Sequence, residues 1–380
     1  MTRNAWRLCL FPPILRLVNE EINEPTARVV AQEKVMTQQG PIKKAFELGL
    51  HWEAIGPFLF IAHHHEAYPK AKEDMSPDAS LEGRNIGQDF DLRNSWRMYH
   101  GDKIPGFPAH PHRGFETVSI VRQGYVDHAD SLGAAARYGQ GDVQWLTTGG
   151  GIMHSEMFPL VHTDRDNPLE MFQLWLNLPK KSKMVPAHFK MFWANSIPKT
   201  EQLDAKGRKT ALTYVAGRPL FDEDFAQNAP PPDSWAADAQ NDVRIVLLRL
   251  DPHAEITLPG VDAGIDRGLY AFEGGSFSVN GLTAPNRVGM ILDSTEAIDL
   301  VNGEEATEFL LLEGRPINEP VAQQGPFVMN SRMELQQAML DFQTTRFGGW
   351  DWPSDAPVHA RDAGRFAQHP DGTVDRPSDA

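Results

Sequence analysis

Short runs of apolar and β-branched residues, divided by glycine-rich turns, recur along this chain from residue 58 onward. In the first half they predict strands at residues 58–62, 96–100, 117–121, 125–128, 143–146 and 169–176. Asp130-Ser131-Leu132-Gly133 and Gly139-Gln140-Gly141-Asp142 supply turn chemistry between these strands. Strands this short, at roughly ten-residue spacing, indicate an antiparallel barrel or jelly roll.

A second series of strand patterns follows a polar stretch that contains Ala229-Pro230-Pro231-Pro232-Asp233. The predicted strands are 243–250, 254–258, 268–272, 276–279, 288–292, 298–301 and 309–312. Gly274-Gly275 and Asn280-Gly281 are typical hairpin turns between them. Because this spacing echoes the first half, we predict an all-β fold of two antiparallel jelly-roll barrels in tandem, which is a diverged internal duplication.

The chain is long enough for two domains of similar size, since its 380 residues exceed one typical domain. A capping box at Ser331 and Glu334 predicts a short C-terminal helix through about Gln343. We expect a poorly ordered N-terminal extension, in which Met36 is an alternative start to Met1. The predicted segments are 1–40 (extension), 41–180 (first barrel), 181–242 (connection), 243–345 (second barrel) and 346–380 (exposed tail).

Charge and composition exclude several classes of protein. The net charge is −15, from 51 acidic and 36 basic residues, which argues against direct nucleic-acid binding because phosphate recognition needs clustered Lys and Arg. The single cysteine, Cys9, excludes an intramolecular disulfide framework and leaves the redox compartment open. The sequence contains no apolar run of the roughly 18 residues that a transmembrane helix needs. We therefore expect a cytoplasmic protein with no membrane partner.

Two pairs of metal-ligand residues stand out in the first half. His110 and His112 are two residues apart, and so are His154 and Glu156, which follow the Gly149-Gly150-Gly151 run. Residues two apart in a strand point to the same face, so each pair can direct both side chains into a barrel. Three imidazoles and a carboxylate suit iron, manganese, nickel, copper or zinc. One such pair alone would be ordinary, whereas two pairs predict a site for one metal ion.

The second half offers no comparable set, because His253 is its only histidine before the tail. We therefore predict a second barrel without metal ligands. The tract His63-His64-His65 is a weaker candidate. Adjacent histidines in a strand alternate faces, so at most two can share an ion, and a polar strand end is the expected interpretation.

Glu116 leaves the choice of the fourth ligand open. Strand parity counted from His110 and His112 puts Glu116 on their face, where it competes with Glu156. We favour Glu156 because its spacing from His154 repeats that of the histidine pair. Glu116 would then orient an imidazole N–H, and either carboxylate is a candidate base for catalysis. The apolar neighbours that could line a pocket for an aromatic substrate, or simply fill the barrel core, are Phe115, Trp145, Met153 and Phe158.

Several longer motifs resemble those of one protein family. The cupin superfamily pairs a first motif, here His110, His112, Glu116 and Gly124, with a second, here Gly151 and His154. Within that superfamily the chain resembles the pirins from about residue 57 to about residue 350. The motifs that carry this resemblance are residues 110–118, 141–145, 154–157, 173–179 and 325–330.

The resemblance implies a bicupin with one metal ion, usually iron, in the N-terminal barrel. Its ligands would be His110, His112, His154 and Glu156, since pirins use the second-motif carboxylate where most cupins use the first. Some bacterial pirins are similar to quercetinases, which implies an Fe(II) dioxygenase of the quercetin 2,3-dioxygenase type, acting with O₂ on flavonols or similar enolic aromatic compounds. Animal pirins regulate transcription-factor binding. The alternative is therefore a non-enzymatic metal or redox sensor that acts through protein partners.

Overall fold

The computed structural model describes residues 40–378 of the chain. The predictions for the N-terminal extension, including the choice between Met1 and Met36, lie outside the described residues apart from Gly40. The strands of the first half are β1 (Ile42–Glu47), β2 (His51–Trp52), β3 (Phe58–Glu66), β4 (Gly106–His112), β5 (Phe115–Gln123), β6 (Tyr125–Asp130), β7 (Ala135–Gly139), β8 (Asp142–Thr147), β9 (Ile152–Met157), β10 (Leu169–Asn177), β11 (His188–Phe192), β12 (Lys199–Leu203) and β13 (Lys209–Ala216).

The second half repeats this succession of short strands. They are β14 (Arg244–Leu250), β15 (Glu255–Leu258), β16 (Asp266–Glu273), β17 (Phe277–Val279), β18 (Leu282–Ala284), β19 (Val288–Leu292), β20 (Ile298–Asn302), β21 (Thr307–Gly314), β22 (Ala322–Gln324), β23 (Phe327–Met329), β24 (Phe366–Gln368) and β25 (Val374–Asp375). One α-helix, α1 (Arg332–Thr345), follows β23. Short 3₁₀ turns are at Lys180–Ser182, Trp235–Ala237, Ala239–Asn241 and Arg346–Gly348.

Two six-stranded sheets form the first barrel. One has the order β11-β8-β5-β10-β3-β2 and the other the order β25-β24-β7-β6-β9-β4. Alternate side chains of both sheets point into the space between them, as expected for strands with one face on a core. The residues that meet there include Val121, Leu146 and Met171 from the first sheet and Val126, Tyr138 and Ile152 from the second.

A seven-stranded sheet (β1-β19-β16-β21-β14-β13-β12) and a four-stranded sheet (β15-β20-β17-β18) form the second barrel. Its core includes Val246, Leu269 and Phe309 from the larger sheet and Phe277 and Leu300 from the smaller. Strand β1 pairs with β19, and β12 and β13 extend the same sheet from the stretch that connects the two barrels. The predicted fold class, two antiparallel barrels in tandem with a C-terminal helix, is confirmed.

The two barrels share a continuous apolar layer. Val118, Ile120 and Trp145 face outward from the first barrel and pack in one cluster with Ile245 and Leu310 of the second. Burying a large apolar side chain contributes about 1.5–3 kcal/mol, so a layer of this size joins the barrels firmly.

Helix α1 begins at the predicted residue. The Ser331 hydroxyl accepts a hydrogen bond from the Glu334 backbone N–H at 3.2 Å, and the Glu334 carboxylate accepts one from the Asn330 N–H at 3.0 Å. This reciprocal pattern satisfies two backbone donors at the helix start.

Two local predictions are wrong. Residues 96–100 do not form a strand, because the N–H of Arg97 donates to the Glu66 carboxylate and that of Met98 to the Asp89 carboxylate instead of to a neighbouring strand. The tail is not simply exposed chain. Its strand β24 pairs with β7 of the first barrel, and Ala367 in that strand is fully buried.

Candidate metal centre

The two predicted ligand pairs lie on β4 and β9, which are hydrogen-bonded neighbours in one sheet. His110 on β4 pairs directly with His154 on β9, and His112 pairs with Ile152. The Nε2 atoms of His110 and His154 are 3.0 Å apart. One ring nitrogen from each of His110, His112 and His154 lies within 4.8 Å of the others. The three imidazoles therefore converge on a space that suits a single ion.

Two glycines with positive φ make the turns that follow β4 and precede β9. Gly114, with φ +87°, makes the corner between β4 and β5, and a Cβ there would lie 2.0 Å from the Val328 carbonyl oxygen. Gly151, with φ +126°, precedes β9, and a Cβ there would lie 2.6 Å from the Phe347 ring. Side chains at these two positions would clash with the C-terminal segment that covers the site.

Burial keeps the three histidines neutral. Burial lowers the pKa of His110 to about 4 and takes the pKa values of His112 and His154 well below the usual range. The Nδ1 atom of His110 lies 2.9 Å from the Pro108 carbonyl oxygen, and that of His112 lies 3.4 Å from the Pro326 carbonyl oxygen. A carbonyl only accepts, so Nδ1 carries the hydrogen in both rings and Nε2 keeps a free lone pair.

Glu156 lies beside this group, with an oxygen 3.9 Å from Nε2 of His154. Its carboxylate accepts hydrogen bonds from the Ser119 hydroxyl at 3.0 Å and from the Gln173 amide at 3.3 Å. Burial raises the pKa of Glu156, although the Ser119 and Gln173 bonds oppose that effect. Sequence reasoning missed Ser119 and Gln173. Each is a polar residue in the middle of an otherwise largely apolar strand, β5 or β10, and that pattern could have identified both.

Glu116 does not share the face of the histidines, so the parity argument is wrong. Its carboxylate accepts hydrogen bonds from the Thr147 hydroxyl at 2.7 Å and from Ser234, in the connecting segment, at 2.5 Å. Ser119, three residues further along β5, points to the opposite side and reaches Glu156. Parity holds only within one strand, and the corner at Gly114 moves the chain from one sheet to the other.

Two of the four predicted pocket residues lie near the histidines. The centroid of the Phe115 ring is 5.0 Å from that of His112 and 4.3 Å from that of Trp175. Phe158 is 6.0 Å from Phe107, whose ring is 6.4 Å from that of His110. Trp175 and Phe107 were not predicted, because the contacts that bring them here are distant in sequence.

The other two candidates, Trp145 and Met153, point away from the histidines and match the packing alternative that the sequence left open. Trp145 belongs to the apolar layer between the barrels, next to Val118 and Ile120. Met153 alternates with His154 along β9 and so points to the opposite face of that sheet. Both are largely buried, at 0% and 6% exposure, and they are packing residues.

The C-terminal segment closes one side of the site. Val328 in β23 donates its N–H to the Arg113 carbonyl at 3.0 Å, next to His112. The Arg113 guanidinium donates to Asp341 of helix α1 at 2.7 Å. The buried Lys183 ammonium donates to the carbonyls of Gly114 and Val328 at 2.7 and 3.1 Å. These bonds couple the ligand corner to a segment that is far away in sequence.

The three histidines of the tract at residues 63–65 lie in three different environments, outside the candidate metal site. His63 bonds the Glu170 carboxylate at 3.1 Å, His64 bonds the Tyr99 hydroxyl at 2.7 Å, and His65 is exposed. Over residues 40–378, the one group of three or more candidate ligand residues that could share an ion is His110, His112 and His154. Within the same range, no helix is both long and apolar enough to cross a membrane.

Comparison with known proteins places this chain in a family. The Pirin profile matches residues 41–176, and the profile of the Pirin C-terminal cupin domain matches residues 245–348. The chain belongs to the pirin family. It is 35% identical over 308 residues to a Pseudomonas aeruginosa pirin relative that carries a provisional quercetin 2,3-dioxygenase name, covering 81% of this chain and 92% of the relative. It is 30% identical to the pirin of Homo sapiens, covering 66% of this chain and 80% of that one.

A solved structure agrees with this assignment. The structure of quercetin 2,3-dioxygenase from Acinetobacter baumannii matches with a TM-score of 0.63 and 27% identity, over 81% of this chain and 98% of that one. The pirin assignment rests on both halves of the chain, since the two profiles together cover both barrels.

Proposed function

We propose that this pirin binds one divalent transition metal ion through His110, His112, His154 and Glu156, with Fe(II) as the physiological metal. The observation that carries the proposal is the convergence of three neutral imidazoles, two of which have Nδ1 held by a carbonyl so that Nε2 keeps the lone pair that a metal needs. Mn, Ni, Cu and Zn remain alternatives, because imidazole and carboxylate donors accept all of them. Glu156 completes the set because its carboxylate lies on the same face of β9 as His154.

We further propose that the site performs a dioxygenase reaction of the quercetin 2,3-dioxygenase type on flavonols or similar enolic aromatic compounds. When bound, a divalent metal supplies a Lewis acid that stabilises negative charge on an enolate oxygen. Phe107, His110 and Trp175 are only partly buried, so the site opens to solvent along this edge. The rings of Phe107 and Trp175 would hold a flat aromatic substrate beside the ligands.

The chain itself contributes positioning and charge control. Ser119 and Gln173 hold the Glu156 carboxylate through two hydrogen bonds, and one of its oxygens lies 3.9 Å from Nε2 of His154. In that position Glu156 is able to bind the metal or accept the hydroxyl proton of an enolic substrate. Glu116 takes neither role in this proposal, because it lies on the other face of β5 and bonds Thr147 and Ser234.

Aerobic turnover of quercetin by the iron-loaded protein tests the activity. The expected result is loss of the near-ultraviolet flavonol band together with release of carbon monoxide, both absent in His154→Ala. His63→Phe is the matched control, because it removes a buried histidine that bonds a carboxylate away from the site. Absence of flavonol consumption by protein that carries one iron per chain would contradict the dioxygenase proposal. If the redox state of that iron then changed the affinity for a protein partner, the sensor function would replace it.

A further inference from the structure

A fourth histidine, which no motif singled out, lies inside the first barrel next to the ligands. His128 on β6 pairs across the sheet with Glu156, and Asp130 pairs with His154. His128 is fully buried, and its ring centre lies 5.6 Å from that of His154 in an edge-to-face arrangement. Its position follows from β6 being the neighbour of β9, which the sequence alone does not reveal.

The hydrogen bonds of Asp130 determine which nitrogen of His128 carries a proton. One carboxylate oxygen of Asp130 accepts the backbone N–H groups of Leu132 and Ala134, at 2.9 and 3.0 Å. The other lies 3.1 Å from Nε2 of His128. A carboxylate held in this way is an acceptor, so Nε2 of His128 carries a hydrogen and donates it. The Nδ1 atom of His128 is then a bare lone pair, and it is buried without a partner among the described residues.

In the described part of the chain, His154 lacks a hydrogen-bond partner at the same ring position, its Nδ1 atom. Its Nε2 faces His110, so a metal-bound His154 carries its hydrogen on Nδ1. That Nδ1 is also buried and has no acceptor among the described residues, whereas His110 and His112 each have a carbonyl. A buried donor without an acceptor is destabilising. With a metal bound, His154 therefore has a donor without an acceptor among residues 40–378, and the neighbouring ring of His128 has an acceptor without a donor.

We propose that His128 accepts the Nδ1 hydrogen of His154 through one buried water molecule, because the two Nδ1 atoms do not bond each other directly, and thereby orients His154 as a metal ligand. The chain Asp130–His128–His154 then fixes the tautomer of the one ligand that no carbonyl fixes. Buried waters commonly bridge polar atoms of this kind. His128 is a positioning residue in this scheme, because it acts through His154. The inference rests on the metal site of the proposed function and adds a role to a residue outside the ligand set.

The test compares His128→Phe with His128→Gln in the full-length protein. Phenylalanine keeps the ring and removes the acceptor, whereas glutamine restores an acceptor through its carbonyl oxygen. Affinity for Co(II) is measured by competition with a chelator, and the visible absorption of the bound Co(II) reports the geometry of its ligands. We expect His128→Phe to bind Co(II) about 10-fold to 100-fold more weakly, with a shifted absorption band, and His128→Gln to recover part of both. His63→Phe should match the wild-type protein in affinity and spectrum.

A wild-type affinity and spectrum in His128→Phe would overturn the role of His128 while leaving the metal site intact. A wild-type protein that takes up no metal would instead overturn the proposed function, and the inference with it. If His128→Phe fails to fold, nitrogen-15 NMR of the zinc-loaded wild-type protein decides the question. The expected result is a hydrogen on Nδ1 of His154 and a bare Nδ1 on His128. A hydrogen on Nδ1 of His128 would overturn the proposal.

Discussion

The buried carboxyl group of Glu116 should make the stability of this protein depend on pH in an unusual direction. It is fully buried, and its hydrogen-bond partners are the hydroxyl groups of Thr147 and Ser234. Burial raises the pKa of Glu116 from 4.5 to about 7, although the bonds from Ser234 and Thr147 oppose that effect. Both bonds survive protonation, because a hydroxyl can accept as well as donate.

The pKa of Glu116 determines both the direction and the size of the change in unfolding free energy with pH. Between pH 4.5 and about 7 the folded protein holds a proton on Glu116 that the unfolded chain has already released. The stabilisation from this group is therefore fully present below pH 4.5, and it is lost as the pH rises through about 7. Raising the pKa of this carboxyl from 4.5 to about 7 corresponds to roughly 3 kcal/mol of unfolding free energy.

Urea unfolding of the wild-type protein and Glu116→Gln across pH 4.5 to 8 measures this contribution. The amide stays neutral at every pH, so the free energy of unfolding of the wild type should fall by about 3 kcal/mol relative to that of the variant over this range. Groups common to both proteins cancel in the difference. Glu82→Gln, at an exposed carboxyl, is the control and should run parallel to the wild type. Parallel curves for the wild type and Glu116→Gln would refute the reasoning.

Two further predictions concern the ligand side of the first barrel. Glu156→Gln should weaken metal binding at least about 10-fold in a chelator competition, while Glu116→Gln should not change it, because only Glu156 lies beside His154. A larger loss for Glu116→Gln would reverse this assignment. Lys183→Met should lower the free energy of unfolding by roughly 2–4 kcal/mol. The reason is that the carbonyl oxygens of Gly114 and Val328 would lose the hydrogen bonds that the Lys183 ammonium donates. The exposed neighbour variant Lys181→Met should lie within about 0.5 kcal/mol of wild type, and equal losses for the two lysines would contradict the account.

Features set by local chemistry could be predicted from the sequence. The hairpin at Asn280-Gly281 was predictable because both residues tolerate positive φ, and they adopt φ +47° and +80°. The strand at 288–292 was also predictable, because its apolar run is bounded by turn residues on both sides. The shared orientation of His110 and His112 also belongs to this class, since both residues lie within one strand and the periodicity of a strand is fixed.

Features that depend on which sheet a strand joins could not be predicted. Trp145 and Glu116 face the second barrel rather than the ligands, and only the topology of the sheets reveals this. The same is true of His128, whose importance comes from the pairing of β6 with β9. The contact between His112 and the Pro326 carbonyl joins residues 214 positions apart. No local pattern reports a contact of that kind.

The most direct test of the metal site is the metal content of the wild-type protein and His154→Ala after loading with Fe(II) under anaerobic conditions and removal of free ions. His154 is the choice because it is fully buried and faces His110 at 3.0 Å, so its loss opens the site without exposing a new surface. We predict one iron per chain in the wild type and a near-complete loss in His154→Ala. Equal iron content in the two proteins would contradict the assignment of this site.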